Sequence, residues 1–158
     1  MSDDLLRAHV RRLLDWEDAH IGFEIAVKDF PRELRGKQVE GLPYSPWQLV
    51  EHMRIAQHDI LDFCRNPSYV EMKWPDDYWP KTVEPPSADA WESALAAFRR
   101  DREALKQFFV DPGLDLFAKI PHGTGQTYLR EALVVADHNA YHLGQLVAVR
   151  RLLGNWSA

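Results

Sequence analysis

Cysteine is almost absent from this 158-residue chain, which contains Cys64 alone. A single cysteine excludes an intramolecular disulfide bond and is typical of proteins in a reducing compartment. Cys64 lies near the predicted end of a helix, without an adjacent histidine or a helix N-terminus that would lower the pKa of its thiol. We therefore interpret Cys64 as a small, partly buried hydrophobic residue rather than as a nucleophile.

Concentrated positive charge is also missing. The chain has 19 basic and 24 acidic residues, for a formal net charge of −5, and its arginines and lysines are scattered apart from short pairs. Proteins that bind duplex nucleic acid usually gather positive charge on one face, where it displaces counterions. We therefore expect no nucleic-acid partner.

Long apolar runs are missing as well, since nothing approaches the about 20 residues that cross a bilayer as a helix. The N-terminus, Met1 to Asp4, is acidic and leads directly into amphipathic sequence, unlike a signal or transit peptide. These features predict a cytoplasmic protein without a membrane partner.

Apolar residues recur at steps of three and four in several segments, the period of an amphipathic helix. The first such segment runs from about residue 3 to residue 29 and includes Leu13, Trp16 and His20 in its apolar line. Its predicted end is Phe30, because a residue that precedes proline avoids the α region.

The second helix has the clearest start signal in the chain. Ser45 is a good N-cap residue, Pro46 suits the first helical position, and Gln48 completes a capping box. The helix is expected to stop at Asn66, which precedes Pro67.

Two further helices are predicted after Ser87 as far as Asp111, and from about Thr127 to Leu153. Residues 66–86, between the second and third helices, contain five prolines among several aromatic residues. Irregular loops of this length in compact domains often cover a site. Four amphipathic helices predict an all-α four-helix bundle, and the length fits a single domain over residues 1–158.

His138 and His142 lie four residues apart in the last predicted helix. Side chains at this spacing project from one face of a helix, so both imidazoles can reach one metal ion. Two hydrogen-bonded core histidines would explain the pair equally well. His52, in the second helix, favours the metal, because a facing helix of a bundle can supply a third ligand. Three neutral imidazoles suit Zn²⁺ or Ni²⁺, and also Fe²⁺.

The other histidines are interpreted differently. His20 interrupts an apolar line, so we expect it to face the core, as a hydrogen-bonded residue or one that supports the ligands rather than as a fourth ligand. His9 and His58 are predicted to be solvated. His122, in a predicted tight loop, is expected to be exposed, with the mouth of a pocket as the alternative.

Some polar and aromatic residues are ambiguous from sequence alone. Asp59 follows His52 by seven residues and shares its helix face, where it can orient a ligand or accept a proton; a solvated carboxylate is the equally good alternative. Tyr141, Trp74 and Trp79 fit pocket walls and ordinary packing about equally well. No residue is singled out as catalytic.

Residues 45–52 (Ser-Pro-Trp-Gln-Leu-Val-Glu-His) and 137–145 (Asp-His-Asn-Ala-Tyr-His-Leu-Gly-Gln) resemble the DinB-like superfamily of four-helix metal-dependent enzymes. The resemblance covers essentially the whole chain. It implies metal-binding histidines at His52, His138 and His142, and it implies a homodimer formed by helix packing.

The relatives include bacillithiol S-transferases and a mycothiol-dependent maleylpyruvate isomerase. The resemblance therefore implies a metal-dependent enzyme that acts on a small molecule, most simply as a thiol S-transferase that uses a low-molecular-weight thiol. The alternatives are a metal-dependent hydrolase of a small substrate and a non-catalytic module that binds a metal or ligand.

Overall fold

The computed structural model describes residues 2–15 and 18–156. Within these ranges the chain is helical and forms no strand beyond an isolated antiparallel bridge between Lys119 and Thr127. This confirms the predicted all-α class. The helices are α1 (Ser2–Asp15), α2 (Phe23–Val27), α3 (Pro46–Arg65), α4 (Ala90–Val110) and α5 (Tyr128–Leu152), with a single 3₁₀ turn at Arg32–Leu34.

The predicted first helix, residues 3–29, is not continuous. α1 ends at Asp15, and the short α2 begins only at Phe23, after Gly22 in an extended conformation. The break lets the ring of Phe23 stack on Phe98 of α4 with centroids 4.1 Å apart. The helical period of the sequence continues through the break, so periodicity alone does not locate it, and burial of the Phe23 ring against α4 stabilises the observed path.

The break also changes which residues of this segment face the core. His20 is exposed in the connection between α1 and α2, so the prediction that it faces the core is wrong. Leu13 is 45% exposed, while Val10 and Leu14 are buried. Trp16 lies outside the described residues.

The start of α3 confirms the capping box. The Ser45 hydroxyl accepts a hydrogen bond from the Gln48 backbone N–H at 3.2 Å, and the Gln48 side-chain oxygen accepts one from the Ser45 N–H at 3.0 Å. The same hydroxyl donates to the Val83 carbonyl oxygen at 2.5 Å. The cap therefore starts α3 and also ties down the end of the long loop.

The two later helices lie close to their predicted positions. α4 begins at Ala90, a few residues after Ser87, and α5 follows Thr127, whose side chain accepts a hydrogen bond from the Arg130 N–H. None of the helices among the described residues is long and apolar enough to cross a membrane.

The apolar core consists of two clusters, one towards each end of the bundle. Met53 of α3 and Leu143 of α5 belong to one cluster, while Leu61 of α3 and Ala136 of α5 belong to the other. The stretches of α3 and α5 between these positions carry buried polar side chains. The candidate site lies at this layer of buried polar side chains, between the two apolar clusters.

Candidate metal centre

Three histidines meet where α3 and α5 face each other. Nε2 of His52 lies 3.1 Å from Nε2 of His142 and 3.0 Å from Nε2 of His138. The candidate ligand atoms of all three lie within 4.8 Å of one another. His52 and His142 are buried and His138 is half-buried. The structure thus brings together the three residues that the sequence singles out, and metal ligation by them stays a prediction.

Each of these histidines directs its other ring nitrogen, Nδ1, to an oxygen atom. A carbonyl oxygen accepts hydrogen bonds and donates none, so an Nδ1 that faces one carries the proton. The Nε2 atom of the same neutral ring then holds a lone pair. The three contacts are His52 Nδ1 to the Tyr78 backbone oxygen at 2.7 Å, His138 Nδ1 to Asn139 Oδ1 at 3.3 Å, and His142 Nδ1 to Gln145 Oε1 at 2.7 Å.

These contacts favour the form of each ring with its proton on Nδ1, which leaves the three Nε2 lone pairs facing the centre of the cluster. Burial lowers the pKa of all three histidines, to about 4 for His52 and for His142, which favours the neutral imidazole with a single ring proton at neutral pH. Close acceptor–acceptor contacts are relieved by a cation between them. A set of three neutral imidazole nitrogens fits Zn²⁺, Ni²⁺ or Fe²⁺, so the residues present suit a divalent transition metal.

A sequence model of the DinB superfamily matches residues 7–146. The chain belongs to the DinB superfamily. This confirms the resemblance seen in the sequence. Comparison with curated proteins and with solved structures gives no match.

In this DinB-superfamily chain the long loop covers one face of the site. The ring of Trp79 stacks on His52, with centroids 3.7 Å apart and planes 4° from parallel, and Tyr44 stacks on the outer face of Trp79 at 3.8 Å. Trp79 is therefore a wall of the site. Trp74 is 67% exposed and Tyr141 is 65% exposed, although the Tyr141 ring still meets His142 edge-on.

Asp59 is buried, so its interpretation as a solvated carboxylate is wrong. It accepts hydrogen bonds from the hydroxyls of Tyr69 at 2.8 Å and Tyr78 at 2.7 Å. Burial and this carboxylate raise the pKa of both tyrosines, that of Tyr69 to about 12, so the hydroxyls remain donors. Asp59 anchors the loop through Tyr78, whose backbone carbonyl holds His52.

The remaining histidines lie outside the cluster. His9 and His58 are exposed as predicted, and His58 hydrogen-bonds Asp101 at 2.9 Å. His122 is exposed in its loop, which agrees with the simpler of its two interpretations. His20 is exposed and does not belong to the three-histidine cluster.

Cys64 is buried, and burial raises the pKa of its thiol to about 12. This confirms the interpretation of Cys64 as a core residue.

The amides that support the histidines were not predicted. Gln57 is fully buried, four residues after Met53 in the apolar stripe of α3, and Asn139 lies between the two histidines of α5. A polar residue within an apolar stripe was the available signal, because buried amides need hydrogen-bond partners.

Proposed function

We propose that this DinB-superfamily protein is a metal-dependent enzyme in which His52, His138 and His142 hold one divalent metal ion. The observation that carries the proposal is the convergence of three Nε2 atoms whose rings have committed their Nδ1 protons elsewhere. Such an arrangement leaves three neutral nitrogen donors at one point. Metal sites with only three protein ligands keep an open coordination position, which is typical of catalytic sites rather than structural ones.

A bound divalent ion would supply Lewis acidity, lowering the pKa of a coordinated thiol or water towards neutrality. The protein's own residues prepare the site for it. The backbone oxygen of Tyr78 and Oε1 of Gln145 accept hydrogen bonds from Nδ1 of His52 and His142 and so orient both rings. Trp79 covers one face of His52 and shields it from water.

The proposed reaction is transfer of a low-molecular-weight thiol to a small electrophile: the sulfur would form a bond to an electrophilic carbon, a leaving group would depart with the electron pair of the bond that breaks, and the thiol proton would pass to solvent. Three neutral imidazoles add no negative charge, so a divalent site keeps a net positive charge that favours an anionic sulfur from the substrate. Soft sulfur donors suit Zn²⁺ and Ni²⁺ well. Cys64 cannot provide that sulfur, because it is buried in the apolar cluster away from the histidines. The homodimer and the cytoplasmic location stay predictions.

The first experiment measures metal content and affinity. Protein purified without chelators should carry close to one divalent ion per chain by elemental analysis. His52→Ala, His138→Ala and His142→Ala should each weaken Zn²⁺ or Ni²⁺ binding by more than the about 10–100-fold typical of changes behind a ligand. His9→Ala, at an exposed position, is the matched control and should leave affinity unchanged. No tight binding of any divalent transition metal would refute the proposal.

The second experiment distinguishes thiol transfer from hydrolysis. Protein loaded with Co²⁺ should develop a sulfur-to-metal charge-transfer band when a small thiol is added, and the H142A variant should not. If thiols leave the spectrum unchanged while carboxylates or hydroxide alter it, the transferase is ruled out and a hydrolase becomes the better assignment.

A further inference from the structure

A chain of buried hydrogen bonds runs from the backbone of α4 to the site. Gln57, which is 0% exposed, donates from Nε2 to the carbonyl oxygen of Phe98 at 2.8 Å. Asn139, which is 1% exposed, donates from Nδ2 to Gln57 Oε1 at 3.1 Å. Asn139 Oδ1 in turn faces Nδ1 of His138 at 3.3 Å.

The direction of every bond in this chain follows from its first member. A backbone carbonyl only accepts, so Gln57 must turn its NH₂ group to Phe98 and its oxygen to Asn139. Asn139 must then turn its NH₂ group to Gln57 and its oxygen to His138. Reversing either amide would place two donors or two acceptors together in a buried layer and leave buried polar groups unsatisfied.

The consequence concerns the proton of His138. Facing the Asn139 oxygen, the ring carries its proton on Nδ1. The alternative tautomer, with the proton on Nε2, can donate to Nε2 of His52, which lies 3.0 Å away. Protonation would remove the Nε2 lone pair of His138, and the hydrogen bond would occupy that of His52, which closes the site.

We infer that Gln57 and Asn139 are positioning residues that hold the proton of His138 on Nδ1, with the direction imposed by the Phe98 carbonyl. The inference about the tautomer needs no metal. Its consequence for metal affinity rests on the proposed function.

The test is long-range ¹H–¹⁵N NMR of the histidine rings in metal-free, ¹⁵N-labelled protein at neutral pH, where the two tautomers give different ring nitrogen shifts. His138 should be protonated on Nδ1 in the wild-type protein. Gln57→Met, which keeps the volume and removes the polarity, should move His138 towards the Nε2 tautomer and weaken Zn²⁺ binding by about 10–100-fold.

Gln145→Met is the matched control, because it removes the amide that faces His142 and leaves the Phe98 chain intact. It should leave the His138 tautomer unchanged. An Nε2-protonated His138 in the wild-type protein overturns the inference without any variant, which covers the case in which Gln57→Met fails to fold.

Two outcomes separate this inference from the proposed function. If His138 has its proton on Nδ1 and Gln57→Met shifts the tautomer but no metal binds, the positioning role is supported and the proposed metal-dependent enzyme is refuted. If metal binds and Gln57→Met leaves the tautomer unchanged, the positioning role is refuted and the proposed metal site is supported.

Discussion

Removing one tyrosine hydroxyl should weaken metal binding at the proposed site without changing a histidine. Asp59 accepts hydrogen bonds from Tyr69 and Tyr78, but only Tyr78 also supplies the carbonyl oxygen that accepts a hydrogen bond from Nδ1 of His52. In Tyr78→Phe the loop keeps that carbonyl but loses the anchor that fixes its position.

The magnitude follows from the bond that is lost. A hydrogen bond to a charged group contributes about 1.5–3 kcal/mol, and the half-buried Tyr78 side chain allows partial compensation by water, so we expect a loss of about 1–2 kcal/mol. For a chain of this size the loss corresponds to a fall in Tm of about 2–8 °C. Metal affinity should fall by at least about tenfold, because changing a partner of a ligating histidine typically lowers affinity by about 10–100-fold.

Tyr69→Phe is the matched control. It removes a bond of similar length, 2.8 Å against 2.7 Å, from the same carboxylate, so metal-free Tm should fall by a similar amount. Zn²⁺ affinity should stay close to wild type, because Tyr69 does not hold His52. Thermal unfolding in a chelator and competition against a chromophoric chelator measure the two quantities. Equal losses of affinity in both variants would refute the path through the Tyr78 carbonyl.

The remaining predictions concern pH, the thiol and the helix cap. Burial lowers the pKa of His52 and His142 from 6.5 to about 4, so the unfolded chain binds more protons between these values. The free energy of unfolding of the metal-free protein should therefore fall as pH drops from 6.5 towards 4, and urea titrations should show a shallower fall in His142→Leu; equal slopes would contradict this assignment. Cys64 should react with a thiol reagent only as fast as the protein opens, and rapid labelling of the folded protein would show that it is accessible. Ser45→Ala should cost about 1–2 kcal/mol in chemical denaturation through the lost cap of α3, whereas Ser87→Ala, exposed before α4, should cost less.

The parts of the fold that the sequence predicts well depend on local signals. The start of α3 follows from Ser45 and Gln48, which interact within a single helical turn. The break between α1 and α2 has a local signal in Gly22, but apolar residues keep the helical period across it. The contact that α2 makes after the break, Phe23 against Phe98, joins residues far apart in the sequence and so leaves no trace in a local pattern.

The same distinction applies to the candidate site. The spacing of His138 and His142 is a property of one helix and is readable directly. The role of Asp59 was ambiguous because it depends on where the loop places Tyr69 and Tyr78, and an irregular loop has no period from which that placement follows.

Gln57 shows where prediction from side-chain pattern stops. A glutamine in an apolar helix stripe indicates a buried hydrogen bond, but its amide can pair equally well with a donor or with an acceptor. The backbone carbonyl of Phe98 determines that an amide oxygen, rather than an NH₂ group, faces His138, and every residue type possesses such a carbonyl. A chain with the same three histidines and an apolar residue at position 57 would keep the ligand pattern and lose the fixed tautomer. Three histidines at suitable spacings are therefore evidence for a metal site, whereas readiness to bind depends on the amides behind them.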